Sequence, residues 1–248
     1  MKILRFIGNN ILFLLTLFLL AFIPLYPKLP LVGVTHTWVY VRLEDFAVAL
    51  TVTVWAVLLI LKKVSLKTPL TIPIMVFWII GGITTLHGVL ILFPTLANVF
   101  SNVAFLSFLR RIEYMSLFFI AFASIKDKKF VVPVAITLTA VLLLVIGYGF
   151  GQKYFGFPAF LTMNEEFAKG IPIRLSDLSR VPSTFAGQYD LAAYLVLIVP
   201  LLVSLIFGIR NIFFKAVVLI SSVLGFVLLF MTVSRISFFA LLSALLLY

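Results

Sequence analysis

The stretch FVVPVAITLTAVLLLVIGYGF, residues 130 to 150, carries no charge over a length that crosses a membrane as one helix. Roughly 20 apolar residues, rising about 1.5 Å each, match a hydrocarbon core about 30 Å thick. Lys126, Lys128 and Lys129 stand just before it. Working outward, comparable runs predict further spans near 7–25, 46–61, 69–86, 108–125, 190–209 and 212–231. Another run opens at Ile236 and reaches Tyr248 after 13 residues, too few for a full crossing. The expected fold is therefore all-α: a polytopic transmembrane helix bundle of about seven complete spans plus a truncated eighth. Residues 1–248 read as a single transmembrane domain, and the short eighth run leads us to expect the N-terminal part of a longer protein.

Composition agrees. Of 248 residues, 64% are hydrophobic and 11% charged, and the mean hydropathy is +1.27, more apolar surface than a soluble domain needs. The net charge of +11 does not point to nucleic acid, because the basic residues are scattered at the ends of apolar runs. They read as topology signals and contacts to anionic membrane lipids. Without cysteine there is no disulfide framework and no thiolate nucleophile. His36 and His87 are far apart in sequence and form no metal-ligand cluster, so no metal and no cofactor is expected. The run Ile11–Ile23 follows Lys2 and Arg5 like a signal peptide, but Pro24, Tyr26 and Pro27 follow it in place of a small-residue cleavage site. It reads as an uncleaved signal anchor and first span. Gly147, Gly149 and Gly151 end a span with no strand before them, which excludes a dinucleotide-binding loop.

Orientation follows from alternate connections. The short set carries Lys2, Arg5, Lys62, Lys63, Lys67, Lys126, Lys128, Lys129 and Arg210. Its density of basic charge predicts a cytoplasmic side and a cytoplasmic N-terminus. The longest connection, about 151–189, is then an external loop. Its Tyr154, Phe155, Phe157, Phe160 and Phe167, broken up by Pro158, Pro172 and Pro182, suit a segment lying partly in the membrane interface.

On this topology Arg180 and Arg235 both meet the external face beside apolar runs. A guanidinium at membrane depth is costly and usually faces a bundle interior or a wet cavity, although snorkelling to headgroups explains a single one equally well. Two at one face suggest a phosphate-bearing ligand. After Arg180, Pro182 fixes the approach, Ser183 and Thr184 offer hydroxyls, Gly187 permits close backbone approach, and Asp190 can cap the next helix. Arg174 reads as an accessory cation or a solvated loop charge. Arg110, Arg111 and Glu113 must partly enter the membrane, since a fourth span starting after Glu113 is too short; Arg110 and Glu113 are three apart and can pair. Arg42, Glu44 and Asp45 read as interface anchors, and His87 as the external end of the third span.

Four stretches together resemble the O-antigen ligase and O-antigen polymerase family of membrane glycosyltransferases. PLYPKLPL (24–31) followed by VRLEDF (41–46) resembles the family's first external loop and the start of its second span. LRRIEYMSLFF (109–119) resembles its Arg-Glu span start, and RVPSTFAGQYDLAAYLVLIVPL (180–201) its Arg, Phe, Asn-or-Asp and small-residue pattern. TVSRISFFA (232–240) resembles its Ser-Arg motif. Asp190 stands where many members have Asn, and Ser183 where many have Gly. Members of the family continue for several spans more, and in the ligases a later external loop supplies an important histidine.

The resemblance implies transfer or polymerisation of an undecaprenyl-diphosphate-linked glycan at the external face of the cytoplasmic membrane. The partners it implies are that donor, a glycan or lipid acceptor, and membrane lipids. Arg180 and Arg235 are the expected diphosphate-binding residues, with Arg174, Arg110, Arg111 and Glu113 as accessories. Asp190 is the candidate catalytic base within the chain, although the base is rather expected beyond Tyr248. A lipid-linked glycan transporter or flippase, a peptidoglycan polymerase of the shape-and-division type, and a noncatalytic scaffold are the alternatives. Repeated, broken spans would favour the transporter.

Overall fold

The computed structural model describes residues 2–176 and 178–246, with side chains from Asn10 onward. The side chains of Lys2 and Arg5, used in the orientation argument, and the last two residues of the eighth run lie outside the described residues. Every apolar run holds a helix: α1 Lys2–Leu25, α2 Leu43–Ile60, α3 Thr71–His87, α4 Ser101–Ser124, α5 Val131–Tyr154, α6 Gln188–Ile206, α7 Ile212–Met231 and α8 Arg235–Leu246. Among the described residues, five helical stretches are long and apolar enough to cross a membrane: Leu43–Ile60, Thr71–Thr95, Lys128–Tyr154, Gln188–Ile206 and Ile212–Thr232. They are compatible with a multi-pass membrane protein. Asn10–Leu25 and α8 are shorter apolar helices. Helix α4 has 24 residues but carries Arg110, Arg111 and Glu113, and it is not among the five.

The helix ends follow local chemistry. Glu44 and Asp45 stand in the first turn of α2, where negative charge suits the positive end of the helix dipole. Pro73 and Pro133 each occupy the third position of a helix, where the missing N–H has no intrahelical partner to lose. The Asn211 side chain accepts from the amides of Phe213 (2.9 Å) and Phe214 (3.1 Å) and so caps α7.

One expectation is corrected here. The third span does not end at residue 86. The helical path continues past His87 through a π-turn, Gly88–Leu92, and a 3-10 turn, Phe93–Thr95. The apolar run simply persists until Pro94, which supports only a final tight turn. His87 is therefore inside the helical stretch, not at its end. The connection after α1 carries local structure of its own. It holds a short antiparallel hairpin, β1 Val32–Gly33 and β2 Tyr40–Val41, in register Val32↔Val41 and Gly33↔Tyr40.

The chain divides into two compact units. The first comprises Met1–Leu19, Val34–Thr37 and Asp45–Lys128, and the second Leu20–Gly33, Trp38–Glu44 and Lys129–Tyr248. The core of the first unit gathers Leu12, Trp55, Ile74, Phe119, Ile120 and Ala123, with the Trp55 and Phe119 rings 6.1 Å apart. Thr16 donates to the Ser124 hydroxyl at 3.1 Å, a polar tie between α1 and α4. On α3, Ile72, Ile79, Ile80 and Ile83 are exposed, an apolar face suited to lipid.

In the second unit α5, α6, α7 and α8 pack around Leu142, Val145, Leu191, Leu195, Leu202, Val218, Leu228 and Leu241. Lipid tails are as apolar as leucine, so close packing must replace the hydrophobic drive between such helices. Small residues permit it. A Cβ on Gly225 of α7 would come within 3.0 Å of Val199 on α6, so the two helices touch through their backbones there.

Candidate functional site

One end of the second unit collects the C-terminus of α5, the N-terminus of α6, the α7–α8 turn and the segment after α1. The α7–α8 turn is as tight as its sequence suggests. Helix α7 stops at Met231 and α8 starts at Arg235. Val233 takes φ +56°, a left-handed conformation that a β-branched residue rarely adopts. Buried Thr232 secures it, donating to Leu229 O at 2.7 Å and accepting from the Ser234 amide at 3.3 Å.

Arg180 meets this turn through the backbone. The amide of Val181 donates to the carbonyl of Met231 at 3.1 Å, so one main-chain bond joins the Arg180 segment to the end of α7. Arg180 precedes that junction by one residue and Arg235 follows it by four. Both side chains are exposed. Arg180 donates from Nη1 to the Tyr189 hydroxyl at 3.0 Å, and the Arg235 side chain has no hydrogen bond or ion pair among the described residues. Neither guanidinium is neutralised by a carboxylate among those residues.

Asp190 does not cap α6. The cap position is Gly187, extended at φ −168°, ψ 169°, and Asp190 is the third residue of the helix. Its carboxylate is exposed in the first turn, where it complements the helix dipole. Lys28 and Arg42 act on it electrostatically.

Lys28 is a residue that the sequence reading missed. It is buried, 6% exposed, donates to the Ile23 carbonyl at 2.9 Å and forms an ion pair with Glu44. Arg42 reaches the other oxygen of Glu44 at 3.3 Å. A buried ammonium is tolerable only when paired and hydrogen-bonded, and here it also answers the negative end of α1. Its one signal in the sequence is a lysine set between Pro27 and Pro30 directly after an apolar run. Around this end, then, four cations (Lys28, Arg42, Arg180, Arg235) stand with two carboxylates (Glu44, Asp190).

A pocket of about 380 Å³ adjoins the Arg180 segment, lined by Leu25, Pro27, Leu144, Tyr148, Phe160, Ser183 and Thr184. Its polar rim is already engaged. Tyr148 donates to Pro158 O at 2.8 Å, Ser183 to Val145 O at 2.6 Å and Thr184 to Pro24 O at 2.5 Å. What remains facing the space is largely hydrocarbon.

Arg174 is exposed beside the Ala159↔Ile173 bridge and makes no hydrogen bond or ion pair among the described residues. Arg110, Arg111 and Glu113 belong to the first unit. There Arg110 meets Asp45 of α2 at 3.4 Å, a partner that spacing within α4 did not indicate, while Arg111 is exposed. Among the described residues no three His, Cys, Asp or Glu side chains group as a metal site. No protein-family model, curated protein or solved structure shows a significant match to the chain.

Proposed function

We propose that this chain belongs to a membrane glycosyltransferase that transfers or polymerises a glycan carried on undecaprenyl diphosphate, at the external face of the cytoplasmic membrane. The observation that carries the reading is the Val181–Met231 bond, which sets two exposed arginines, neither with a carboxylate partner among the described residues, on either side of one junction. In such a transfer an acceptor hydroxyl attacks the anomeric carbon, and its proton passes to a base. The bond from that carbon to the diphosphate oxygen breaks, and negative charge builds on the departing lipid diphosphate. Guanidinium groups suit that charge because they stay protonated, bind phosphate through two N–H donors and are aimed in advance. Tyr189 holds one Nη of Arg180 and so orients its plane. The adjoining apolar pocket offers a berth for the prenyl end of such a donor. The resemblance of residues 180–201 and 232–240 to the ligase and polymerase motifs supports the same reading.

In this proposal α1 and α4 join the five long apolar helices as spans, and the N-terminus is cytoplasmic. Single cysteines placed at Lys63 and Lys128 are then shielded from an external impermeant thiol reagent, whereas one at Lys169 labels; the reverse pattern overturns the orientation. The activity is tested by transfer from a lipid-diphosphate glycan to lipid-A-type and glycan-chain acceptors, using full-length protein in membranes. A new glycosidic bond supports the enzyme. Movement of the donor across the bilayer without one favours a carrier.

A further inference from the structure

The last three turns of α5 present a single face to the Arg180 segment. Val145, Tyr148, Gly149 and Gln152 stand at i, i+3, i+4 and i+7, on one side of the helix. Each does something different there. The Val145 carbonyl receives the Ser183 hydroxyl at 2.6 Å, and Tyr148 donates to Pro158 O at 2.8 Å. Gly149 lets Leu228 and Val181 close in, because a Cβ there would lie 2.7 Å from Leu228 Cδ1 and 3.4 Å from Val181 Cγ1.

Gln152 is the unusual member. It is 1% exposed, and its Nε2 donates to Pro158 O at 3.1 Å and to Ser183 O at 2.9 Å, using both amide hydrogens. Its Oε1 is buried without a partner among the described residues. An orphaned buried carbonyl is destabilising, so packing alone gives no reason for an amide at this position. What the amide supplies is two donors.

One of them falls on a strained residue. Ser183 is buried at φ +52°, a left-handed conformation that costs a non-glycine residue free energy and persists only where its surroundings enforce it. The enforcement is visible: the Ser183 hydroxyl is tied to α5, its carbonyl is tied to Gln152, and the neighbouring Thr184 is tied to Pro24 O at 2.5 Å. Three residues earlier stands Arg180, whose next neighbour Val181 is bonded to Met231. We propose that Gln152 is a positioning residue for Arg180: its buried amide locks the Ser183 turn and thereby fixes where the Arg180 guanidinium stands relative to the α7–α8 turn. The proposal rests on Arg180 as a ligand-binding residue, but its mechanical part does not depend on the ligand.

The chain has no cysteine, so a single nitroxide label reports one place without ambiguity. The experiment places that label at Arg180→Cys in the full chain in lipid nanodiscs, with and without Gln152→Met, which keeps the side-chain volume but donates nothing. A reference label at Phe207→Cys sits on an exposed residue after the other end of α6. Expected is a restricted spectrum at 180 that becomes mobile with Gln152→Met, while the spectrum at 207 does not change. No change at 180 overturns the proposal. So does equal loosening at both places, which marks a general packing role. If Gln152→Met does not accumulate, Gln152→Asn serves: one methylene shorter, it cannot reach both carbonyls, and a smaller but selective loosening at 180 is expected, its absence again overturning the proposal. In label-free protein, Gln152→Met weakens binding of undecaprenyl diphosphate about tenfold. Selective loosening at 180, together with binding untouched by both Gln152→Met and Arg180→Lys, keeps the positioning role and removes the diphosphate reading.

Discussion

Arg110 in the first unit and Arg180 and Arg235 in the second show one kind of side chain in two situations. Arg110 is half-buried and has an acid, Asp45, at 3.4 Å on another helix. Among the described residues the Arg180 guanidinium has only a neutral phenol, at 3.0 Å, and that of Arg235 has no partner. A guanidinium with a carboxylate beside it has its charge answered and contributes to structure. One left with a phenol or with no partner among the described residues has its charge unanswered there, which is what the proposed diphosphate role requires. Lys28 extends the comparison within the second unit: it is charged and close to the same end, but buried on Glu44, so it belongs with Arg110 in kind.

The comparison breaks if these classes respond alike to substitution. Lys28→Met should be the most damaging to folding. Removing one partner of a buried ion pair costs roughly 3–5 kcal/mol, a figure lessened here because Arg42 stays within 3.3 Å of Glu44. Thermal unfolding in detergent measures it, and adding Glu44→Gln should recover part of the loss. A stable Lys28→Met protein would show the pair to be dispensable. Next come Arg180→Lys and Arg235→Lys, which keep the charge but lose the planar fork. Transfer activity per folded molecule should fall tenfold to more than a hundredfold, the equivalent of roughly 1.5–3 kcal/mol per charge-assisted contact, with melting temperatures unchanged. A snorkelling anchor would tolerate lysine.

Arg110→Ala should show the opposite profile. The pair is partly exposed, 40% and 24% for its two side chains, so its loss costs at most about 1 kcal/mol of stability and leaves activity per folded molecule intact. Activity lost from a normally folded Arg110→Ala protein would move Arg110 into the other class. The smallest effect concerns the turn between the two arginine-bearing segments. Val233→Gly relieves the φ of +56° and should raise stability by about 1 kcal/mol. A fall in melting temperature would show that the valine side chain outweighs the strain.

Helix positions were legible because a long uncharged run has few alternatives in a membrane. Boundaries were less so: the third span continues past His87 because its apolar residues do, and Pro94 stops it later than expected. The two-residue strands of the hairpin are too short to carry a periodic signal. Arg180 and Arg235 could be singled out because a charge beside a span is conspicuous. Their common junction could not, since it is made by the backbone of Val181 and Met231, whose side chains give no hint of it. Lys28 and Gln152 were missed for a related reason. Burial of the first depends on Glu44, 16 residues away, and the role of the second on Ser183, 31 residues away. Neither separation follows a helical period.

Whether Arg180 and Arg235 grip one diphosphate together is tested by equilibrium binding, without requiring turnover. Undecaprenyl diphosphate and undecaprenyl monophosphate are titrated into the full-length protein in nanodiscs, for the parent, Arg180→Lys, Arg235→Lys and the double variant. The parent should prefer the diphosphate, each single substitution should weaken its binding about tenfold or more, and the two effects should not be additive, since the ligand needs both arginines. Equal affinity for the two lipids, unchanged by either substitution, would contradict the joint grip.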